Sequence, residues 1–290
     1  MLAVVVLTFD PPAGALEACL ESVAAGGDVD LLVLVDNGER ACHVVAGLEL
    51  GVPFDLHVTG RNLGYAGGMN AGIDRALAVG ATMVALLNDD VRVDEGWLGP
   101  LTAALAADER CAAAQPMLVF DTEPPTVNSL GVRLGPDGAG RDIGYGEPVP
   151  ADLAPRPISV FTGGAVLLSA AFLHQVGRFD ERYFLYYEDV DLALRGAETG
   201  WRYVCRPDSV VHHLGSATVQ SRPDVAVFHR ERNRLWVLAR HRSAGDQARG
   251  LWLSVRRLRH RPRRVHARAL LGGLVAVPRL WRERRRPQTR

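Results

Sequence analysis

The chain contains no lysine: all 33 of its basic residues are arginine. It also lacks the signatures of two common nucleotide-binding classes. A Walker loop requires a lysine, and no GxGxxG fingerprint follows the first apolar run, which counts against a P-loop ATPase and a nicotinamide enzyme. Cysteine is scarce. Cys19, Cys42, Cys111 and Cys205 show neither CxxC nor metal-ligand spacing, so they predict reduced core thiols of a cytosolic protein rather than a disulfide or zinc framework. No uninterrupted apolar run is long enough to span a bilayer. The start, Met1 to Thr8, has no basic flank and no small-residue cleavage site, and predicts a first strand rather than a signal peptide.

What is present is a globular composition: 290 residues, 48% hydrophobic and 23% charged, enough for one large domain or a domain with an appendage. The formal net charge of zero hides a division. Residues 222–290 hold 20 arginines against four acidic residues, a net +16, whereas residues 1–221 hold 13 against 29, a net −16. The two regions are therefore expected to meet different partners.

Apolar runs at Ala3–Leu7, Leu31–Val35, Phe54–Val58 and Met83–Leu87 alternate with segments that suit helices, Pro12–Ala25, Glu39–Leu50 and Ala66–Val79. That alternation predicts βαβ units and an α/β fold around a mostly parallel sheet buried on both faces. Beyond Asp90 the spacing predicts a helix over Trp97–Ala107, a strand over Ala112–Val119, and a loop-rich excursion over 121–157 with a hairpin around Val127–Leu134. A strand at Ala165–Ser169 and helices at Ala170–Val176 and Glu188–Glu198 follow, then strands at Arg202–Cys205 and Ser209–Val211. From Val225 onward the pattern is helical, with breaks expected at Pro262 and Pro278.

In open α/β sheets ligands bind beyond the carboxyl ends of the strands, and here each strand runs into a polar turn. These are Thr8-Phe9-Asp10, Asp36-Asn37-Gly38, the stretch from Arg61 and Asn62 through Gly64, Gly67 and Gly68 to Asn70, and Asn88-Asp89-Asp90. Taken singly, Thr8, Asp36 and Asn37 also suit helix caps and turns, and the glycines also suit a tight strand-to-helix turn. Asn88-Asp89-Asp90 is sharper. Two adjacent carboxylates at the edge of a buried strand need a positive partner, and a divalent cation bridging diphosphate oxygens would serve, with hard oxygen ligands suiting Mg²⁺ or Mn²⁺. The second acidic cluster, Glu188-Asp189-Val190-Asp191, follows the aromatic run Tyr183 to Tyr187. Asp189 and Asp191 would point in different directions from a helix. A first-turn acid is favoured by the helix dipole in any case, whereas a carboxylate beside an aromatic wall suits a general base. His212-His213 ends a later strand and offers a metal ligand facing an acidic site.

Five stretches, VVVLTFDPPAGALEACLESV, LVLVDNGE, TGRNLGYAGGMNAG, VALLNDDVRVDEGWL and FTGGAVLLSAAFLHQVGRFDERYFLYYEDVDLALRGAETGWRYVCRPDSVVHHLGS, occur in the order found in the inverting family 2 glycosyltransferases. The chain resembles the rhamnosyltransferase-like branch of that family over about residues 1–220. The resemblance implies a GT-A fold, a Rossmann-like nucleotide-binding sheet, over 1–221, with a helical C-terminal region over 222–290. Thr8, Asp36 and Asn37 would line the nucleoside pocket. Arg61, Asn62, Gly64, Gly68 and Asn70 would border the diphosphate and sugar, and Gly163 and Gly164 would lie under the donor sugar. Asp90 would be the metal-binding end of a DxD-type motif. Asn88 stands where the fuller motif has its first Asp, so Asp89 would assist. Asp189, of the Glu188-Asp189 pair, would be the catalytic base, and His213 or His212 a further metal ligand. Trp201 is expected to pack.

The implied reaction is inverting transfer from a nucleotide-diphosphate sugar, with dTDP-rhamnose favoured and UDP-sugars such as UDP-galactofuranose as the alternative. The acceptor would be a hydroxyl of a polyprenyl-linked or cell-envelope glycan. A non-catalytic sugar-nucleotide binder or a nucleotidyltransferase would not need the Glu188-Asp189 pair. The tail mixes Leu, Val and Trp with clustered Arg, which predicts attachment to an anionic membrane surface, the inner face of the plasma membrane for a cytoplasmic enzyme. A solvated basic tail is the competing reading, and no nucleic-acid motif accompanies the basic patch.

Overall fold

A computed structural model describes residues 1–11, 13–38, 41–214 and 223–284. Its first half alternates as the apolar spacing predicts. Strands β1 (Leu2–Thr8), β2 (Leu31–Asp36), β3 (Phe54–Val58) and β4 (Met83–Asn88) are separated by helices α1 (Ala15–Ala25), α2 (Ala41–Val45) and α3 (Gly64–Ala78). The four strands are parallel, in the order β3-β2-β1-β4. Every residue of β1 is buried, which is why its sequence is a continuous apolar run rather than an alternating one. Successive side chains serve opposite faces: Ala3, Val5 and Leu7 join one core with Ile73 of α3, and Leu2, Val4 and Val6 join the other with Leu16 and Leu20 of α1. Each fully buried aliphatic side chain contributes about 1.5–3 kcal/mol.

Helix α3 contains four glycines, each costing about 0.5–1 kcal/mol relative to alanine inside a helix. Two of them set its distance from the sheet. A Cβ on Gly68 would lie 2.4 Å from Leu7 Cδ1, and one on Gly72 would lie 2.2 Å from Val5 Cγ1. Helix α3 therefore rests directly on β1 and holds the strand-end turns in place.

The remaining strands are β5 (Val91–Val93), β6 (Cys111–Phe120), β7 (Thr126–Ser129), β8 (Val132–Leu134), β9 (Gly140–Asp142), β10 (Arg156–Ile158), β11 (Ala165–Ser169) and β12 (Arg202–His213). Strand β11 runs antiparallel between β4 and β6, and β12 lies parallel to β6 on its far side. The two short strands expected at 202–205 and 209–211 are one strand, β12, bulged between Arg206 and Val210. The single hairpin expected around Val127–Leu134 is instead two pairings: β7 adds to β6, and β8 pairs with β9. Between these strands lie α4 (Leu98–Ala107), α5 (Ala170–Val176) and α6 (Glu188–Glu198).

The helix expected over Glu39–Leu50 is only one turn, α2. Residues 46 and 47 already form a turn, and Gly47 and Gly51 offer little to prolong a helix. Pro12, Glu39, Arg40 and the expected domain boundary at 221 and 222 lie outside the described residues. Cys19, Cys111 and Cys205 are buried, but Cys42, on the one-turn helix α2 of which only Ala41 is buried, is exposed. Trp201 packs as expected, edge-on to Phe172, with its Nε1 donating to Gln175 at 3.0 Å.

The tail folds into α7 (Pro223–His241), α8 (Ala244–Arg257) and α9 (Arg263–Arg284). The break at Pro262 is present, but α9 continues through Pro278. Its last turn is fixed from outside: Leu280 is buried, and Glu283 pairs with Arg182 at 2.8 Å. Those contacts offset the loss of one helical hydrogen bond.

Candidate active site

The carboxyl ends of the parallel strands open onto two adjoining cavities. The smaller, about 370 Å³, is lined by Phe9, Asn37, Asn62, Gly64, Asp89 and Asp90 among others. The larger, about 660 Å³, takes in Gly163, Gly164, Glu188, Asp189, His213 and Arg230. Tyr65, Asn88 and Leu185 line both. Two acidic clusters separated by about a hundred residues in the sequence thus face one continuous space.

The smaller cavity is built by polar bracing of strand ends. Asn37 is buried and spans the turn after β3, donating to Gly64 O at 2.8 Å and accepting from Leu63 N at 2.9 Å. Asn62 accepts from Gly64 N at 2.8 Å. Gly64 has φ +71°, and a Cβ there would lie 2.3 Å from Phe184 O, so both the turn and the close approach require glycine. Thr8 donates to Asp89 Oδ2 at 2.6 Å. Burial raises the Asp89 carboxyl to about 6 despite that bond, and the Asp90 charge adds to the shift.

Asp90 and His213 come together at 3.2 Å, Oδ2 to Nε2. Backbone pairing of β5 with the end of β12 and a Leu214 N to Asp90 O bond of 2.9 Å fix this meeting. Asp90 Oδ1 and His213 Nδ1 are buried with no hydrogen-bond partner among the described residues. His212, the alternative ligand, faces away toward Asp94 at 3.1 Å, because neighbouring residues of a strand point to opposite faces. Among the described residues no three His, Cys, Asp or Glu side chains converge as a metal cage. Asp90 and His213, with the orphaned carboxylate oxygen, are oxygen and nitrogen donors of the kind that could hold a divalent cation completed by substrate phosphates and water.

Asp189 lies across the larger cavity, at the start of α6. Its Oδ2 accepts from Gly163 N at 2.9 Å and its Oδ1 from Val190 N at 2.7 Å. Burial raises its carboxyl to about 6 against those two bonds, and burial raises Glu188 well above the usual range, with the Asp189 charge adding to it. Glu188 Oε2 is buried without a partner among the described residues. Tyr65 OH donates to Gly163 O at 2.5 Å, and a Cβ on Gly163 would lie 2.7 Å from that hydroxyl. The backbone ahead of the pair is strained: Phe184, Tyr186 and Tyr187 have φ of 65°, 66° and 70°. A left-handed residue that is not glycine costs about 1–2 kcal/mol, and such strain concentrates at functional sites.

Other expected site residues lie elsewhere. Asp36 lines neither cavity; its carboxylate accepts from Gly38 N and Ala41 N, both at 2.9 Å, and so holds the turn into α2. Asn70 clamps the chain at Phe179 and Glu181. Gly68 faces Leu7 in the helix–sheet contact, and Arg61 is exposed. Thr8 reaches the cavity through Asp89. Asp191 is separated from the site altogether. Burial alone would raise its carboxyl, but Arg195, His241 and Arg240 outweigh it and hold it low, at 2.8, 2.9 and 3.0 Å respectively.

The local sequence does not single out Tyr65, Asp142 or Arg230. Tyr65 sits inside a quoted motif, and its position between the glycines was the available signal. Asp142 and Arg230 reach the larger cavity from β9 and α7, and nothing in their local sequence marks them.

Residues 1–239 match the family described as "Glycosyltransferase like family 2". The chain is 28% identical over 263 residues to an N-acetylglucosaminyl-diphospho-decaprenol L-rhamnosyltransferase of Mycobacterium tuberculosis, covering 83% of this chain and 85% of that one. It is 30% identical over 190 residues to the galactofuranosyltransferase GlfT1 of the same organism, 64% of this chain and 62% of the relative. Among solved structures, GalNAc-T7 with UDP, GalNAc and Mn²⁺ superposes with a TM-score of 0.65 at 14% identity, over 82% of this chain. This chain spans about half, 47%, of that structure. With the family matched over residues 1–239 and the fold superposing on such structures, the chain belongs to glycosyltransferase family 2 and is a glycosyltransferase of the GT-A fold.

Proposed function

We propose that the enzyme moves a sugar from a nucleoside-diphosphate donor to an acceptor hydroxyl by a single inverting displacement, with Asp189 as the base. The observation that carries this reading is the placement of Asp189, pinned to Gly163 N, in the same cavity as His213, which meets Asp90. The smaller cavity takes the nucleotide, with Asn37, Asn62 and Gly64 at its wall. Asp90 and His213 would hold Mg²⁺ or Mn²⁺, which supplies neutralisation of the diphosphate leaving group. Asp189 accepts the proton of the acceptor hydroxyl as its oxygen bonds to the anomeric carbon and the bond to the diphosphate oxygen breaks. Burial pushes the neighbouring Glu188 carboxyl well above the usual carboxylate range, and the Asp189 charge adds to that shift.

The rhamnosyltransferase similarity, covering most of both chains, favours dTDP-rhamnose as donor and a polyprenyl-diphosphate-linked glycan as acceptor. The similarity to a galactofuranosyltransferase supports a UDP-sugar as the second reading. A thermal-shift panel of dTDP- and UDP-sugars with Mg²⁺ tests both, since only a matching ligand raises the melting temperature appreciably. No shift with any nucleotide sugar, together with no transfer to lipid-linked glycans, would overturn the proposal.

The acceptor class also bears on the tail. No described helix is long and apolar enough to cross a membrane. Helices α8 and α9 expose Trp252, Val255, Leu271 and Val275, the last at 82%, among clustered arginines. We read this surface as a peripheral contact with anionic lipid at the inner face of the plasma membrane. Flotation with anionic but not neutral vesicles is the expected result, and equal behaviour with both would remove the lipid contact.

A further inference from the structure

The catalytic pair is presented by a turn whose shape its own residues disfavour. Phe184, Tyr186 and Tyr187 all hold left-handed φ values, uncommon for bulky side chains. Few of the contacts that fix this turn are local. The side-chain amide of Asn233, from the middle of α7, lies within hydrogen-bond distance of three of its carbonyls: Tyr183 O at 2.9 Å, Leu185 O at 2.9 Å and Tyr186 O at 2.7 Å. Asn233 is fully buried. Its Oδ1 accepts from Arg232 Nε at 2.8 Å, which orients the amide with its two N–H groups toward the turn. Arg232 adds bonds to Arg182 O at 3.1 Å and Tyr183 O at 3.0 Å.

The next carbonyl, Tyr187 O, accepts from Asp191 N at 2.9 Å and so opens α6. Asp189 sits in that first turn with its carboxylate on Gly163 N. Leu185, Tyr186 and Tyr187 meanwhile wall the larger cavity. The turn therefore sets both where α6 begins and where the base stands against the reacting atoms.

We infer that Asn233 is a positioning residue for catalysis: its amide holds the left-handed turn that presents Asp189. An amide suits this task better than its near-isosteres. Aspartate would set carboxylate oxygens against carbonyl oxygens, and leucine would leave the three carbonyls, that of Tyr183 buried, without this donor. The inference rests on the reading of Asp189 as the base, and its test separates the two.

The full chain is compared with Asn233→Leu, Asn233→Asp and Asp189→Asn. The probe is whichever of UDP or dTDP, with Mn²⁺, stabilises the unaltered protein, and transfer is assayed with the matching donor. Both Asn233 variants are expected to bind the nucleotide within about twofold of normal while kcat falls roughly 10–100-fold, the scale expected for an ångström-level misplacement of a catalytic group. Amide hydrogen exchange over residues 184–190 should quicken while β1–β4 stay protected, and the acid limb of the kcat–pH profile should move. A purely structural brace would quicken that exchange without lowering kcat at unchanged nucleotide affinity or moving the pH profile. Wild-type kcat in both Asn233 variants, or a loss wholly explained by weaker nucleotide binding, overturns the inference. Wild-type kcat in Asp189→Asn overturns the base assignment instead, and hydrogen exchange still reads the turn. Should neither variant fold, Asn233→Ser, which keeps one donor, takes their place with the same readouts and the same criteria.

Discussion

The two acidic clusters of this enzyme are built alike and held differently. In each, one of the carboxylates is tied to side chains of the framework. At the end of β4, Asp90 meets His213, while Asp89 also lines the smaller cavity but accepts from Thr8 at 2.6 Å. At the start of α6, Asp189 faces the cavity, while Asp191 is buried against Arg195, Arg240 and His241. The first cluster is braced by the adjacent strand of its own sheet. The second is braced by α7, some fifty residues downstream. A parallel sheet supplies its own rigid strand ends, whereas a strained turn ahead of a helix needs an outside support. The arginine-rich region is therefore, in its first helix, part of what shapes the active site.

Substitutions within each cluster separate the cavity-facing carboxylate from the framework one. The largest effect is expected at Asp189→Asn: turnover falls about 10²–10⁴-fold with nucleotide affinity unchanged, read by steady-state transfer and nucleotide titration. Asp191→Asn should instead destabilise the fold, by about 3–5 kcal/mol, because removing one partner leaves buried arginines uncompensated; denaturant unfolding measures it. His213→Ala should raise the Mn²⁺ concentration for half-maximal activity by at least about 10-fold, the scale on which even indirect metal partners act, whereas His212→Ala should not. Thr8→Val, the mildest, removes one bond to Asp89 and is expected to cost about 1–3 kcal/mol.

The pH dependence sharpens the same contrast. Burial raises the Asp189 carboxyl to about 6, and as the proposed base it acts when ionised. The rate should therefore be on its plateau above about pH 7 and fall as pH drops through 6. The framework acid acts on stability instead, in the same direction but in a lower pH window. The Asp191 carboxyl is lowered in the folded state, so its contribution is present above the ordinary carboxylate range and is lost only as pH falls below it. A profile in which activity and stability fall together would break the distinction between the two acids.

Much of this was legible along the chain. Continuous apolar runs marked β1 to β4, and the polar turn after each strand marked the edge where Asn37, Asn62, Asp89 and Asp90 now line a cavity. Other features had no local signal. Asp36 and Asn37 are adjacent strand-end residues, yet Asn37 lines the cavity while Asp36 holds the turn into α2. His212 and His213 are identical in type, and only the pairing of β12 with β5 decides which one meets Asp90.

The sequence by itself determined the alternation of buried strands and helices, the order of the motifs, and the chemical types available at the site. Those depend on periodicity and local turn chemistry, which a linear chain displays. Tertiary structure alone decided that Asp189 lines the cavity while Asp191 turns onto Arg195, and which histidine meets Asp90. It also brought Arg230 to the cavity rim and Asn233 onto the turn before Asp189. These are contacts between distant segments, set by how strands pair and helices pack, and no local pattern encodes them.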